Sequence, residues 1–181
     1  KRFVNFTNLF FMVDKNNLII LIVSLLFISC NKDDAIYSNS LISSPHPVAS
    51  QVGQVIYSQG GNAFDAAVAA AFTLSVVEPS MSGIGGRLQV IYNQAGGDIL
   101  GIDATTQIPE SFNNADMDLP NYGYKTIGIP GVVAGLLKLH EENGILDLET
   151  VMQPSISIAE NGFTLLPGEL KRQQSEKEKI Q

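Results

Sequence analysis

Apolar and polar positions change period along the chain, and each change marks an element. Val48, Val52, Val55 and Ile56 recur at i, i+4, i+7 and i+8, which predicts an amphipathic helix over about 48–59. Gly60 and Gly61 end it, since glycine takes the positive φ that a helix C-terminus needs. Asn62 is a preferred N-cap and Asp65 stands three residues on, as in a capping box, where it also meets the positive end of the helix dipole. The next helix is predicted over about 63–77. It carries no charge between Asp65 and Glu78, so it reads as a buried central helix whose alanines permit close approach.

Beyond it the pattern breaks at Pro79, Gly83, Gly85 and Gly86, a loop. LQVIY (88–92) and DILGID (98–103) flank Ala95-Gly96-Gly97 and predict a β-hairpin. Residues 104–126 are polar and irregular. A helix is predicted from Pro130-Gly131, with Val133, Leu136, Leu137 and His140 on it and Gly144 as its stop. Asp147 can cap a further helix that Gly162 ends, with a kink or restart at Pro154. The tail from Gly168 is charged and helix-prone with almost no apolar face. SLISS (40–44) reads as a strand running into Pro45-His46-Pro47, where His46 reads as a turn residue rather than a ligand.

The N-terminal segment has a different character. An apolar run from Leu18 to Ile28, broken only by Ser24, follows Lys15 and leads to Ser29-Cys30. It has the length of a signal-peptide core and is short for a membrane span. FISC resembles a bacterial lipobox, with Phe27 in place of the more usual leucine. Residues 1–30 are therefore expected to be a signal peptide with Cys30 as the lipid attachment site, residues 31–39 a tether, and residues 40–181 the folded part. Met12 is an alternative start, which would leave residues 1–11 untranslated. An ordinary signal peptide or a short membrane anchor is the other reading. The expected location is the bacterial periplasm or cell envelope.

The 181 residues allow one domain, and a net charge of −7 gives nucleic-acid binding no electrostatic support. A single cysteine excludes an internal disulfide framework. SGIGGR has the look of a phosphate loop, but no Lys-Ser/Thr pair follows it. No cofactor or metal is expected.

Three stretches together carry a resemblance: residues 46–86, from HPVAS through GGNAFDAAVAAA to SGIGG; IDATTQIP (102–109); and residues 129–163, from IPGVVAGLL to AENGF. In order and spacing they resemble the N-terminal part of a γ-glutamyltransferase (γ-glutamyltranspeptidase) large subunit. That resemblance implies an α+β fold, part of the αββα sandwich of N-terminal nucleophile hydrolases. It implies a precursor that cuts itself into two subunits, and catalysis by the new N-terminal threonine of the small subunit. That threonine attacks a γ-glutamyl amide, with its own α-amine as base and backbone N–H groups holding the oxyanion. Partners are then a γ-glutamyl small molecule and the protein's own small subunit.

Thr7, Thr73, Thr105, Thr106, Thr126, Thr150 and Thr164 all lack the Thr-Thr-His-like context of such a nucleophile. No catalytic residue is therefore expected in this chain, and the chain alone is expected to be inactive. Gly60, Gly61, Asn62, Asp65, Gly83, Gly85, Gly86, Asp103, Pro130 and Gly131 are motif positions with structural roles. The family pattern Asp-x-Arg-x-x-x-Pro, whose arginine clamps the substrate α-carboxylate, is met at Asp103 and Pro109, but Thr105 takes the arginine position. Arg87 stands where another glycine is common. Arg87 could supply the missing charge or be a surface residue at the start of a strand. A donor other than a simple γ-glutamyl compound is a further possibility. A non-catalytic lipoprotein module that kept only the scaffold is the alternative function.

Overall fold

The chain divides into two units, Lys1–Asn39 and Ser40–Gln181. The structure, a computed structural model, describes residues 40–110, 112 and 123–180, without the side chains of 179 and 180. The expected signal segment, Cys30 and the expected tether lie outside the described residues, as do Asn113, Asn114, Asp116, Asp118 and Pro120 of the irregular stretch.

Helix α1 spans Pro47–Ser58 and α2 spans Ala63–Val77. The break between them follows the sequence closely. Gly60 takes φ +89°, and Gly61 donates its N–H back to the Ile56 carbonyl at 3.0 Å. The Asn62 side chain accepts from the Phe64 and Asp65 amides, while Asp65 accepts from the Asn62 amide, so the capping box is closed in both directions. His46 is more than a turn residue: it is the N-cap of α1, its Nδ1 accepting from the Val48 amide, and it is 2% exposed. No strand forms over residues 40–44, because no neighbouring strand among the described residues offers them a ladder; Ile42 instead packs beside Gly53 of α1.

A one-turn helix α3 (Pro79–Ser82) occupies part of the predicted loop. Strands β1 (Leu88–Asn93) and β2 (Ile99–Ala104) pair antiparallel, with Leu88 opposite Ala104, Val90 opposite Ile102 and Gln89 opposite Asp103. After an isolated bridge between Gln107 and Ile129 and a 3₁₀ turn at Tyr124–Thr126, the chain enters α4 (Val132–Asn143). Then come α5 (Leu148–Asn161), capped by Asp147, α6 (Pro167–Ser175) and α7 (Lys177–Ile180). Pro154 lies inside a single helix α5, with no restart.

Helix α2 is the centre, packed against α1, α4 and α5. Ala66, Val68, Ala69 and Phe72 join Val52, Ile56, Leu136, Leu139 and Val151 in one core cluster. Small side chains let α2 and α5 meet closely: the Thr73 and Ser155 hydroxyls lie 3.0 Å apart, both buried, and Thr73 also donates to the Ala69 carbonyl. The helix is not enclosed all round, since Ala63 and Ala67 are exposed. In α4 the buried face runs through Val132, Gly135, Leu136 and Leu139, while Val133 and Leu137 stay partly exposed. Its apolar stripe is wider than the surface that covers it.

Helix α4 also covers one face of the hairpin. The edge-on contact of Phe64 with Tyr92, centroids 5.5 Å apart, ties that hairpin to the start of α2. The opposite hairpin face is open: Ile91 is 83% and Ile99 76% exposed. The fold is α+β, with a helical layer on one side of a two-stranded sheet and nothing among the described residues on the other. No described helix is long and apolar enough to cross a membrane.

Candidate functional site

Gly83, Gly85, Gly86, Asp103, Pro130 and Gly131 of the motif residues gather where three segments meet: the glycine loop, the end of strand β2 and the N-terminus of α4. Strand β2 stops at Ala104, and a local turn follows. Asp103 Oδ1 accepts the Thr105 amide at 3.2 Å and, by a short hydrogen bond, the Thr105 hydroxyl. The Thr105 hydroxyl bond is the main cause holding the Asp103 carboxyl below its ordinary range; slight desolvation opposes it, and the Thr105 amide and the cross-strand partner Gln89 assist. This aspartate is exposed and anionic, and the threonine proton is spent on it.

The chain then returns through paired hydrogen bonds between Gln107 and Ile129, at 3.0 and 2.8 Å, which set Pro130-Gly131 against the end of β2. Gly131 is a close-approach glycine: a Cβ there would fall 2.1 Å from the Ala104 carbonyl oxygen and 3.0 Å from that of Thr105. One turn on, a Cβ at Gly135 would fall 2.6 Å from the Ala104 Cβ. Two glycines four residues apart thus let the helix press its backbone onto the strand. The glycine loop completes the junction, as the Gly86 carbonyl accepts the Gly131 amide at 3.1 Å and the Val132 amide at 3.4 Å.

Two hollows flank this helix terminus. One, of about 290 Å³, is lined by Asp103, Thr105, Gln107, Ile129, Gly131 and Lys138. Lys138 is ion-paired with Glu142, which raises its pKa through a hydrogen bond first and charge second. The other, of about 530 Å³, lies between α2 and the glycine loop and is lined by Leu74, Ser80, Gly83, Gly85, Arg87 and Val132 among others. Arg87 and Thr105 therefore line different hollows. Asn62 and Asp65 stand elsewhere, at the junction of α2 with the C-terminus of α4, where Asn62 Nδ2 donates to the Asn143 carbonyl at 2.7 Å.

Sequence reasoning did not find Lys138, nor the cluster at the foot of the glycine loop. There Arg172 bonds Glu78, Ser80 and Glu169, and Glu169 is 1% exposed. The i, i+3, i+4 spacing of Glu169, Arg172 and Gln173 was its only sequence signal. The hydroxyls of Thr73, Thr105, Thr126 and Thr150 each donate to a nearby oxygen. Among the described residues no group of three or more His, Cys, Asp or Glu is placed to hold a metal.

The family profile described as Gamma-glutamyltranspeptidase matches residues 49–181. The glutathione hydrolase proenzyme of Bacillus subtilis strain 168 is 34% identical over 139 residues, covering 70% of this chain and 24% of that protein. The acylase ACY 1 proenzyme of Pseudomonas sp. strain V22 is 37% identical over 156 residues, covering 77% of this chain and 28% of that protein. The crystal structure of Helicobacter pylori γ-glutamyltranspeptidase superposes with a TM-score of 0.72 at 33% identity, covering 77% of this chain and 42% of the other. The chain thus spans about a quarter of the length of these two curated relatives.

Proposed function

This chain belongs to the γ-glutamyltranspeptidase family, and from that premise we propose that it is the N-terminal part of the large subunit of a self-cleaving N-terminal nucleophile amidase acting on glutathione-like γ-glutamyl amides. The reaction is covalent catalysis. An N-terminal threonine in a small subunit outside this chain adds its hydroxyl oxygen to the γ-carbonyl, and its α-amine takes the proton. The amine of the donor leaves, and water or an acceptor amine resolves the γ-glutamyl ester. Backbone N–H groups carry the oxyanion.

The observation that carries this reading is the one-sided hairpin. Its inner face is covered by helix, while its outer face presents Ile91, Gly101 and Ile99 to solvent. Apolar β-surface of that kind is what a second sheet covers in an αββα sandwich. The word proenzyme in the names of both curated relatives is consistent with it. Expression of the full reading frame tests it: mass spectrometry should find two chains, and only the cleaved protein should release nitroaniline from γ-glutamyl-p-nitroanilide. Turnover by the 181-residue chain alone would overturn it.

A second reading concerns the donor. Thr105 gives its hydroxyl to Asp103, and Arg87 lines the other hollow. Among the described residues, the hollow beside Thr105 then offers a substrate carboxylate an anionic neighbour and only the ion-paired Lys138 as cation. This favours an acyl donor without the α-carboxylate. Comparing γ-glutamyl-p-nitroanilide with 4-aminobutyryl-p-nitroanilide, which lacks only that carboxylate, decides between the two.

The same proposal includes export, with a diacylglyceryl thioether on Cys30. Its support is the apolar run to Ile28 followed by Ser29-Cys30. Metabolic labelling with a radioactive fatty acid should mark the protein and fail to mark the Cys30→Ala variant.

A further inference from the structure

The loop between α2 and β1 is anchored at both ends, by different chemistry at each. At the far end the Gly86 carbonyl holds the amides of Gly131 and Val132. At the near end α6 reaches in from more than ninety residues further along the chain. Arg172 Nη2 donates to Glu78 Oε1 at 2.6 Å, and Nε donates to Ser80 Oγ at 2.8 Å. Both nitrogens also donate to Glu169 Oε2, at 3.2 and 3.1 Å. The Ser80 hydroxyl donates a hydrogen bond to the same Oε2, and Gln173 Nε2 donates to Oε1 at 2.8 Å.

A carboxylate as buried as that of Glu169 is tolerated only when its oxygens are fully engaged, and here they are. The guanidinium fork suits the task because separate nitrogens in fixed directions meet acceptors on the loop and on its own helix, whereas an ammonium offers its three donors from one point. Between the anchors the loop is the one-turn helix α3, its Ser82 carbonyl accepting the Ser75 hydroxyl of α2 at 2.8 Å, and then the Gly83–Gly86 turn, with few side chains packed over it. Met81 is 68% and Ile84 59% exposed, and among the described residues no atom lies within 4 Å of a Cβ built at Gly85.

We propose that Arg172 and Glu169 are positioning residues, holding the Glu78–Gly86 loop so that its Gly86 carbonyl stays on the N-terminus of α4, against which the Asp103–Thr105 turn is seated. The link to donor binding rests on the function proposed above; the mechanical link does not. Without Arg172, the Glu78 and Glu169 carboxylates lose the cation between them and the loop loses its near anchor.

The test uses the full-length, self-cleaved protein carrying Arg172→Met, Arg172→Lys or Ser80→Ala, with Val151→Ala as a core-cavity control. Hydrogen exchange of the Met81–Arg87, Gly131 and Val132 amides should speed by about tenfold in Arg172→Met, while α2 stays protected. The donor KM should rise by about tenfold with kcat little changed, Arg172→Lys should recover part of the loss, and Val151→Ala should lower stability without moving KM. Exchange at Gly131 and Val132 as slow as in the parent would overturn the proposal, and so would an unmoved KM. If the parent turns over no γ-glutamyl donor, the proposed function fails and the exchange rates alone decide the positioning role. If Arg172→Met does not accumulate, Ser80→Ala, which removes the hydroxyl that both side chains grip, is judged by the same criteria.

Discussion

Asp65 accepts the backbone N–H of Ile145, eighty residues further along the chain, at 3.2 Å to each carboxylate oxygen. The same side chain closes the capping box on the Asn62 amide at 2.9 Å. One buried carboxylate thus starts α2 and fixes where the chain leaves α4. Gly144 makes room for it, since a Cβ there would lie 2.7 Å from Asp65 Oδ1. His140 adds a third contact, its Nε2 lying 3.5 Å from Oδ1 and 3.0 Å from the Leu146 carbonyl.

Asp65→Ala should therefore be among the most destabilising single changes in the chain. It leaves the Asn62 and Ile145 amides without their acceptor, the first being the return half of the capping box, at a cost of about 3 kcal/mol. Asp65→Asn keeps one acceptor oxygen and should cost less. Urea midpoints of the full-length protein report both. A loss below about 1 kcal/mol for the alanine variant would show that other contacts hold the junction.

Ala69→Leu tests the close packing of α2. Ala69 is fully buried, and its carbonyl receives both the Thr73 and, at 3.4 Å, the Ser155 hydroxyl. The added side chain has to push α5 away and should cost about 1–3 kcal/mol. A variant as stable as the parent would mean that the α2–α5 contact repacks freely.

These two sites show what the sequence made legible. The cap at Asn62 and Asp65 was readable because its partners are three residues apart. The bond to Ile145 was not, because nothing local marks an amide eighty residues away. The hairpin and the helix boundaries at Ala63, Val77 and Gly144 followed from period and punctuation. The strand expected at 40–44 failed because β-structure needs a partner that a local pattern cannot show. The Arg172 cluster was missed for the converse reason: a helix without an apolar face reads as solvated, yet it buries a charge by pairing it. Thr105 and Arg87 could be singled out from the motif pattern, but their separation into two hollows depends on how α4 docks.

Gly131→Ala and Gly85→Ala should separate glycines that are needed for space from glycines that are not. At Gly131 the new methyl meets the Ala104 carbonyl oxygen, so the helix has to back off the strand. An overpacking cost of about 1–3 kcal/mol is expected, together with a raised donor KM as the Asp103–Thr105 turn shifts. At Gly85 nothing lies within 4 Å among the described residues and φ is not positive, so alanine should be accepted there with little change in stability. Thermal midpoints of the two variants make the comparison, and equal losses would contradict it.

Thr105→Arg should restore carboxylate recognition. It frees Asp103 from the threonine hydroxyl and puts a guanidinium fork at the rim of the smaller hollow. The ratio of kcat/KM for γ-glutamyl-p-nitroanilide to that for 4-aminobutyryl-p-nitroanilide should rise by about tenfold or more. An unchanged ratio would mean that position 105 does not read the α-carboxylate.

Stability should also fall in acid through Glu169. Burial alone would raise its pKa, but hydrogen bonds from Ser80, Gln173 and Arg172 outweigh that and hold it below the ordinary glutamate value of 4.5. The charged groups facing it are Arg172 on its own helix and Glu78 from the loop, with Glu176 and Lys177 lining the same hollow. Because the folded pKa lies below the unfolded one, the unfolded chain takes up the proton first as pH drops. The contribution is therefore complete above the ordinary glutamate range and is lost as pH falls through it toward the lower folded value. Glu169→Gln removes this titration. The stability difference between parent and variant, followed by urea unfolding from neutral pH downward, should be constant near neutrality and narrow only on the acid side of about pH 4.5. A difference that narrowed already between pH 7 and about pH 5 would mean that the folded pKa is raised, and that burial rather than hydrogen bonding governs this carboxylate.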